Sequence, residues 1–124
     1  FRFMLVEGTV NASMFKQFLE RLIVGHTKKI FLIVDGHPTH KAKLVKTFLE
    51  NHSERIELFF LPPYSPELNP DELVWAHLKK NIGKGVSQTK EELKAKAYRH
   101  LQRIQKLPEL VKSFFFHPTC RYAL

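Results

Sequence analysis

Ile30-Phe31-Leu32-Ile33-Val34 is an uninterrupted apolar run, and Asp35-Gly36-His37-Pro38 follows it directly. Such a run, rich in β-branched residues, predicts a strand buried on both faces. Asp35 would then lie at the carboxyl end of that strand, where open α/β sheets bind ligands and a carboxylate suits a divalent cation such as Mg²⁺. Asp and Gly are also ordinary turn residues, so a purely structural role for Asp35 stays open.

A second acidic residue of interest, Glu72, follows a proline-rich segment, Leu61-Pro62-Pro63-Tyr64-Ser65-Pro66-Glu67-Leu68-Asn69-Pro70. Asn69 is a preferred helix N-cap and Glu72 would be the third helical residue, as in a capping box. In that arrangement the Glu72 carboxylate would only accept a hydrogen bond from the Asn69 backbone. The prolines also make a rigid connection that fixes the position of the helix N-terminus. The positive end of the helix dipole there favours anionic groups, so a functional role for Glu72 stays open too.

The periodicity of apolar residues on both sides of Asp35 predicts one α/β domain over residues 1–124 with a βαβαβ core and parallel strands. The strands are expected at residues 2–7, 30–34 and 56–61, with amphipathic helices between them. A helix over residues 70–82 should follow, with Trp75 on its apolar stripe. A linker at residues 83–89 then precedes basic C-terminal helices, and the tail around Phe114 is either a short helix or a partner-binding patch.

The charge distribution points to an anionic partner. The formal net charge is +8 with a pI near 9.8, and residues 79–112 contain ten basic groups against three acidic ones. Clustered basic side chains suit a phosphate backbone, although most charge runs are only solvated helix faces. The predicted DNA contacts are Lys79, Lys80, Lys84, Lys94, Arg99 and Arg103.

Cysteine content and hydropathy bear on where the protein acts. The single Cys120 excludes an internal disulfide and suits a reducing compartment. The apolar runs are far shorter than the ~18 residues that would span a bilayer, and no signal-peptide pattern opens the chain. We therefore expect a soluble, cytoplasmic protein without membrane contact.

Two motifs together resemble the DDE transposases of bacterial insertion sequences and the mariner superfamily. They are Asp35-Gly36-His37-Pro38-Thr39-His40 and the segment from Leu61 to Trp75. The resemblance implies an RNase H-like fold, with Asp35 as the second catalytic acid and Glu72 as the third. It implies that both ligate Mg²⁺ or Mn²⁺ for phosphodiester cleavage and strand transfer on DNA. Asp71 departs from the family, which usually has an apolar residue there.

The resemblance also implies that the RNase H-like fold is incomplete here. The family's first catalytic Asp lies on an earlier strand, and no Asp precedes Asp35 in this sequence. We therefore expect the C-terminal part of a catalytic domain, with little or no transposase activity alone. A strand edge exposed in this way would favour a homodimer. Two non-catalytic alternatives are a DNA-binding remnant or regulator, and an interaction module that joins an intact transposase through Phe114-Phe115-Phe116.

The histidines beside Asp35 have three candidate roles. His37 and His40 could donate hydrogen bonds to the metal-ligating Asp35, contact the DNA backbone, or merely belong to the turn. Their spacing, with no nearby Cys, disfavours a zinc site. The remaining histidines show no grouping in the sequence.

Overall fold

The computed structural model describes residues 1–83 and 89–124, which divide into two compact units. The sheet unit is Met4–Ser65, and the helical unit combines Phe1–Phe3 with Pro66–Leu124. Each unit is described by itself below. Most of the predicted linker, together with the predicted DNA contact Lys84, falls at residues 84–88 and so lies outside the described residues.

The sheet unit contains two of the three predicted strands, paired in parallel. Strand β1 is Ile30–Val34 and strand β2 is Ile56–Phe60, joined through helix α2, Lys43–Asn51. The strands pair in parallel with Ile30 opposite Ile56 and Val34 opposite Phe60. Because the strands run parallel, their carboxyl ends lie side by side at the same end of the sheet. The Leu61 N–H extends the pairing there by donating to the Val34 carbonyl at 2.7 Å.

Helix α1, Ala12–Ile23, and α2 cover one face of this sheet. Asn11 caps α1 by accepting from the Met14 N–H at 2.9 Å. The core between the helices and the strands consists of Phe15, Leu19, Val45, Phe48 and Ile56. Since Leu19 is fully buried, truncating it to Ala should cost about 2–5 kcal/mol of unfolding free energy.

The helical unit consists of α3, Pro70–Ile82, α4, Lys90–Gln105, and α5, Pro108–Phe115. The predicted capping box at the start of α4 is present, since Thr89 and Glu92 exchange side-chain and backbone hydrogen bonds. Leu78, Leu101 and Ile104 form the core. Of the two alternatives for the tail, the short helix is present as α5, whose Phe114 is buried. Trp75, expected in the core, is 53% exposed because α3 packs through Leu78 with Val74 and Ile82.

The prediction of a strand at residues 2–7 is wrong. The described residues before α1 form no strand, and the sheet has two strands, so the order is α1-β1-α2-β2-α3-α4-α5 and not a βαβαβ core. The Phe3 side chain packs on α4 instead of entering a ladder. The Phe3 ring meets Tyr98 edge-on at 5.8 Å, and Gln105 donates to the Phe1 carbonyl at 3.0 Å.

Candidate active site

Asp35 lies directly after β1, as predicted, in a turn that holds its carboxylate. One carboxylate oxygen, Oδ1, accepts from the His37 backbone N–H at 3.0 Å and lies 3.0 Å from His40 Nδ1. The side chain is nevertheless 58% exposed. Two donors therefore fix the orientation of the carboxylate, while no hydrogen bond within the described chain engages its Oδ2.

His40 reaches Asp35 because a 3₁₀ turn, Pro38–Lys41, brings its ring back over the end of β1. His40 Nδ1 is also 3.1 Å from the Asp35 backbone carbonyl. A carbonyl oxygen only accepts, so Nδ1 must carry the hydrogen in this arrangement. The ring packs on Phe15 of the core, with centroids 4.4 Å apart. Of the three roles considered for His40, donation to the Asp35 carboxylate and a place in the turn both have contacts in the structure, because Nδ1 reaches the carboxylate and the backbone carbonyl of Asp35. Contact with the DNA backbone stays a prediction.

The His37 side chain has a different partner. Its Nδ1 accepts from the Thr39 N–H at 3.2 Å and so caps the 3₁₀ turn, which places the ring hydrogen on Nε2. Only the His37 backbone N–H serves Asp35. The two predicted histidines therefore act unequally, since one supports the turn and the other contacts the carboxylate.

Glu72 lies in the first turn of α3, where it is exposed. The N-cap Asn69 accepts from the Asp71 N–H at 3.1 Å. A capping box also needs a hydrogen bond from the N-cap backbone N–H to the carboxylate of the third helical residue. Within the described residues that bond is present at α4 but not at α3. The structural alternative for Glu72 is therefore not realised. Its carboxylate remains available beside the positive end of the α3 dipole.

Asp35 and Glu72 each present an exposed carboxylate, and Mg²⁺ and Mn²⁺ favour such oxygens, so each side chain taken by itself suits a hard divalent cation. Asp35 belongs to the sheet unit and Glu72 to the helical unit. Across residues 1–83 and 89–124, no group of three or more His, Cys, Asp or Glu is arranged to hold a metal ion.

The predicted DNA contacts that the structure describes lie on two helices of the helical unit. Lys79 and Lys80 are exposed in the last turns of α3, and Lys94, Arg99 and Arg103 are exposed on α4. Helical periodicity places Arg99 and Arg103 on one α4 face together with Lys96 and Lys106, while Lys94 lies on another flank. The four-residue stripe is a finding that the prediction, which omitted Lys96 and Lys106 as contacts, did not include.

One grouping of histidines was missed by the sequence. His77 Nδ1 on α3 lies 3.1 Å from His100 Nε2 on α4, with the rings stacked and the edge of Phe114 against His77. Burial lowers the pKa of His100 from its usual value, and the neighbouring His77 and Arg103 add to that effect. No motif signals this pair, because the two residues meet only once α3 packs on α4.

Hydropathy of the helices gives one further result. Among the described residues, no helix combines the length and the apolar character that crossing a bilayer would require.

Comparison with known proteins assigns the family. Residues 1–94 match the family model of the DDE superfamily endonucleases. The match includes both Asp35 and Glu72 and extends into α4. None of the curated proteins matches the chain. Since the family model spans most of the sequence, the chain belongs to the DDE superfamily endonucleases, a family that acts on DNA.

Proposed function

We propose that this chain supplies Asp35 and Glu72 as metal-ligating acids for DNA cleavage and strand transfer of the transposase type. The observation that carries the proposal is the Asp35 turn, in which two N–H donors hold one carboxylate oxygen at the carboxyl end of a parallel strand. The other oxygen belongs to a largely exposed side chain. The family match over both acids supports the same roles.

In the proposed reaction, the acidic side chains of this chain would supply oriented negative charge for a metal ion. Asp35 would enter the reaction already oriented, because the His37 N–H and the His40 ring hold it. Glu72 would supply a second carboxylate from the first turn of α3. A divalent cation, when bound, supplies the Lewis acidity that activates the attacking oxygen and stabilises the leaving oxygen.

The basic groups of α3 and α4 would bind the DNA backbone. The stripe of Lys96, Arg99, Arg103 and Lys106 presents three positive charges on one face of α4 and a fourth at its C-cap, Lys106. Such contacts give affinity that does not depend on sequence and that falls steeply with salt. We infer that this stripe holds the substrate duplex, with Lys79 and Lys80 of α3 as additional contacts.

Titration of the purified chain with Mn²⁺, followed by the loss of the free-ion electron paramagnetic resonance signal, tests the ligand assignment. Asp35→Asn and Glu72→Gln should each weaken Mn²⁺ binding strongly, because each removes a charged oxygen ligand. Asp71→Asn is the matched control, since Asp71 is the neighbouring acid in the same helical turn. Loss of binding in Asp71→Asn with none in Glu72→Gln would transfer the role to Asp71.

An activity measurement tests the expectation that two of the family's three acids do not suffice. A supercoiled plasmid incubated with the 124-residue chain and Mg²⁺ should show little or no nicking. Mg²⁺-dependent nicking that Asp35→Ala abolishes would refute this expectation while supporting the role of Asp35. The same assay with an added family member that carries the first acid would show whether this chain modulates an intact enzyme.

A further inference from the structure

A groove of about 640 Å³ lies within the sheet unit, beside β2. Its lining includes Glu57 from one face of β2 and Leu58 and Phe60 from the other, so it follows the edge of β2 that is not paired with β1. The opposite wall comes from α2, through Lys46 and Leu49. The volume lies within the ~300–1,000 Å³ that is usual for ligand sites.

The groove has an apolar floor and a cationic rim. Leu58 and Phe60 supply apolar surface, and the Phe60 side chain is 46% exposed. Three lysines line the rim: Lys29, Lys41 and Lys46. An aromatic and apolar floor with lysines along it matches the chemistry of a nucleic acid strand, whose bases stack and whose phosphates seek cations.

Two carboxylates also line the groove, and their pairing determines which lysines are available. Glu57 is engaged by Lys29 at 2.8 Å, so these two charges offset each other. Glu50 is one helical turn after Lys46 on α2, yet the two form no ion pair within the described part of the chain. Lys41 and Lys46 are therefore the cations that an incoming phosphate would meet, and the Glu50 carboxylate opposes them in part, so that three lysines against two glutamates leave the lining a net charge of +1.

One end of the groove reaches the Asp35 turn. His40, which contacts the Asp35 carboxylate, lines the groove. The Lys41 ammonium lies 5.3 Å from the Phe60 ring centroid, and it is 3.5 Å from the position that a Cβ on Gly36 would occupy. Lys41 thus stands beside the residue that follows Asp35, at the carboxyl ends of the two strands.

We propose that this groove binds a single DNA strand and leads it along β2 to Asp35, with Lys41 and Lys46 on phosphates and Phe60 against a base. The proposal rests on the proposed function, since that function makes DNA the substrate. It adds a binding site in the sheet unit, distinct from the basic helices of the helical unit. A single strand fits because the lining combines lysines with apolar and aromatic side chains, and the bases of a single strand are free to stack on an aromatic ring, whereas a duplex keeps its base faces stacked inside.

Fluorescence anisotropy with a short fluorescein-labelled deoxythymidine oligonucleotide, measured in EDTA over a series of salt concentrations, tests the groove. The variant Lys41→Ala/Lys46→Ala is compared with Lys28→Ala/Lys43→Ala. The control pair removes the same charge from adjacent positions that do not line the groove. The groove variant should reduce the slope of log affinity against log salt by about 0.7 for each phosphate that a lysine no longer neutralises, and the control should change it less.

A second variant addresses the floor. Phe60→Leu keeps an apolar side chain but removes the ring, and it should weaken oligonucleotide binding about fivefold or more if a base stacks there. The thermal unfolding midpoint of every variant is compared with that of the parent chain, so that weaker binding can be distinguished from loss of the fold. Because EDTA removes divalent cations, these measurements stand even if Asp35 and Glu72 bind no metal.

Three outcomes would overturn the proposal. Equal salt slopes for the groove and control variants would show that the groove carries no phosphate contact. An equal decrease of duplex and single-strand affinity would assign the lysines to general backbone binding. A change of oligomeric state in light scattering, with unchanged oligonucleotide binding, would show that the β2 edge pairs with a second copy of the chain.

Discussion

The two candidate acids are held by their surroundings to different degrees. Asp35 has one carboxylate oxygen fixed by two N–H donors, and His40 in turn packs on the core residue Phe15. Glu72 is exposed in the first turn of α3, where Asn69 bonds to the Asp71 N–H instead of sharing a capping box with Glu72. Asp35 is thus oriented before any cation binds, whereas ordering Glu72 would cost up to about 2 kcal/mol of side-chain entropy.

The histidines of the two units show the same contrast. In the sheet unit, His40 contacts the candidate acid. In the helical unit, His77 and His100 contact each other, and no hydrogen bond in the described residues joins either one to Glu72. A histidine therefore contacts the candidate acid in the sheet unit, whereas the two histidines of the helical unit join α3 to α4. Substitution of a neighbouring residue should therefore change metal binding more at Asp35, which its turn already orients, than at Glu72.

The largest expected effect comes from removing the support of Asp35. His40→Ala should weaken Mn²⁺ binding about 10–100-fold, because partners that orient a ligating carboxylate are usually worth that much. His37→Ala is the matched comparison, since it removes the ring that caps the turn but keeps the backbone N–H that serves Asp35. Its effect on Mn²⁺ binding should be smaller.

Mn²⁺ titration of both variants, with circular dichroism to establish folding, makes this comparison. Equally weakened binding in His37→Ala and His40→Ala would show that the turn as a whole, and not the His40 ring, orients the carboxylate. Unchanged binding in His40→Ala would contradict the difference drawn between the two acids.

A smaller effect concerns the two helix starts of the helical unit. Glu92→Ala removes the capping box of α4 and should lower the free energy of unfolding by about 1 kcal/mol more than Glu72→Ala does. Both variants lose a similar favourable interaction with a helix dipole, so the difference between them isolates the box. Urea unfolding of the two variants measures it. Equal destabilisation would show that Glu72 supports its helix start as much as Glu92 does.

The sequence predicted the parallel strands and the place of Asp35 because both follow from local pattern. A continuous apolar run ending in Asp35 and turn residues specifies a strand and its carboxyl end. The prediction that both faces of this strand are buried is wrong, because Phe31 and Ile33 are exposed on the face that α1 and α2 do not cover. The segment at residues 2–7 also contains an apolar run, at residues 3–6 between two charged residues, but a strand needs a neighbouring strand to complete its hydrogen bonds. Phe1 and Phe3 instead find aromatic and apolar partners in the helical unit.

The pattern of apolar residues in the sequence could not predict side-chain contacts between residues that are distant along the chain. The role of His40 depends on a 3₁₀ turn and on Phe15 of α1, neither of which its spacing from Asp35 reveals. The stacking of His77 on His100 depends on how α3 crosses α4. The exposure of Trp75 has the same origin, because a helix of mixed composition can bury either of two overlapping faces.

The smallest expected effect is a pH dependence of the helical unit. Burial, the nearby His77 and the Arg103 charge keep the pKa of His100 below its usual 6.5 in the folded chain. Above that pH, His100 is neutral in both the folded and unfolded states and has no effect. As the pH falls below 6.5, the unfolded state takes up a proton that the folded state resists, so stability declines until the lower folded pKa is passed.

The comparison of the parent chain with His100→Gln isolates this contribution from that of the other histidines. Urea unfolding at pH 7.5 and at pH 5.5 should show a smaller decline in the variant than in the parent, because glutamine takes up no proton at either pH. His52→Gln serves as a control in the sheet unit, where His52 lies at the end of α2 and bonds to the Phe48 carbonyl. An equal decline in the parent and in His100→Gln would mean that the histidine pair accepts a proton at no cost in stability, and that α3 and α4 are held together by their apolar core alone.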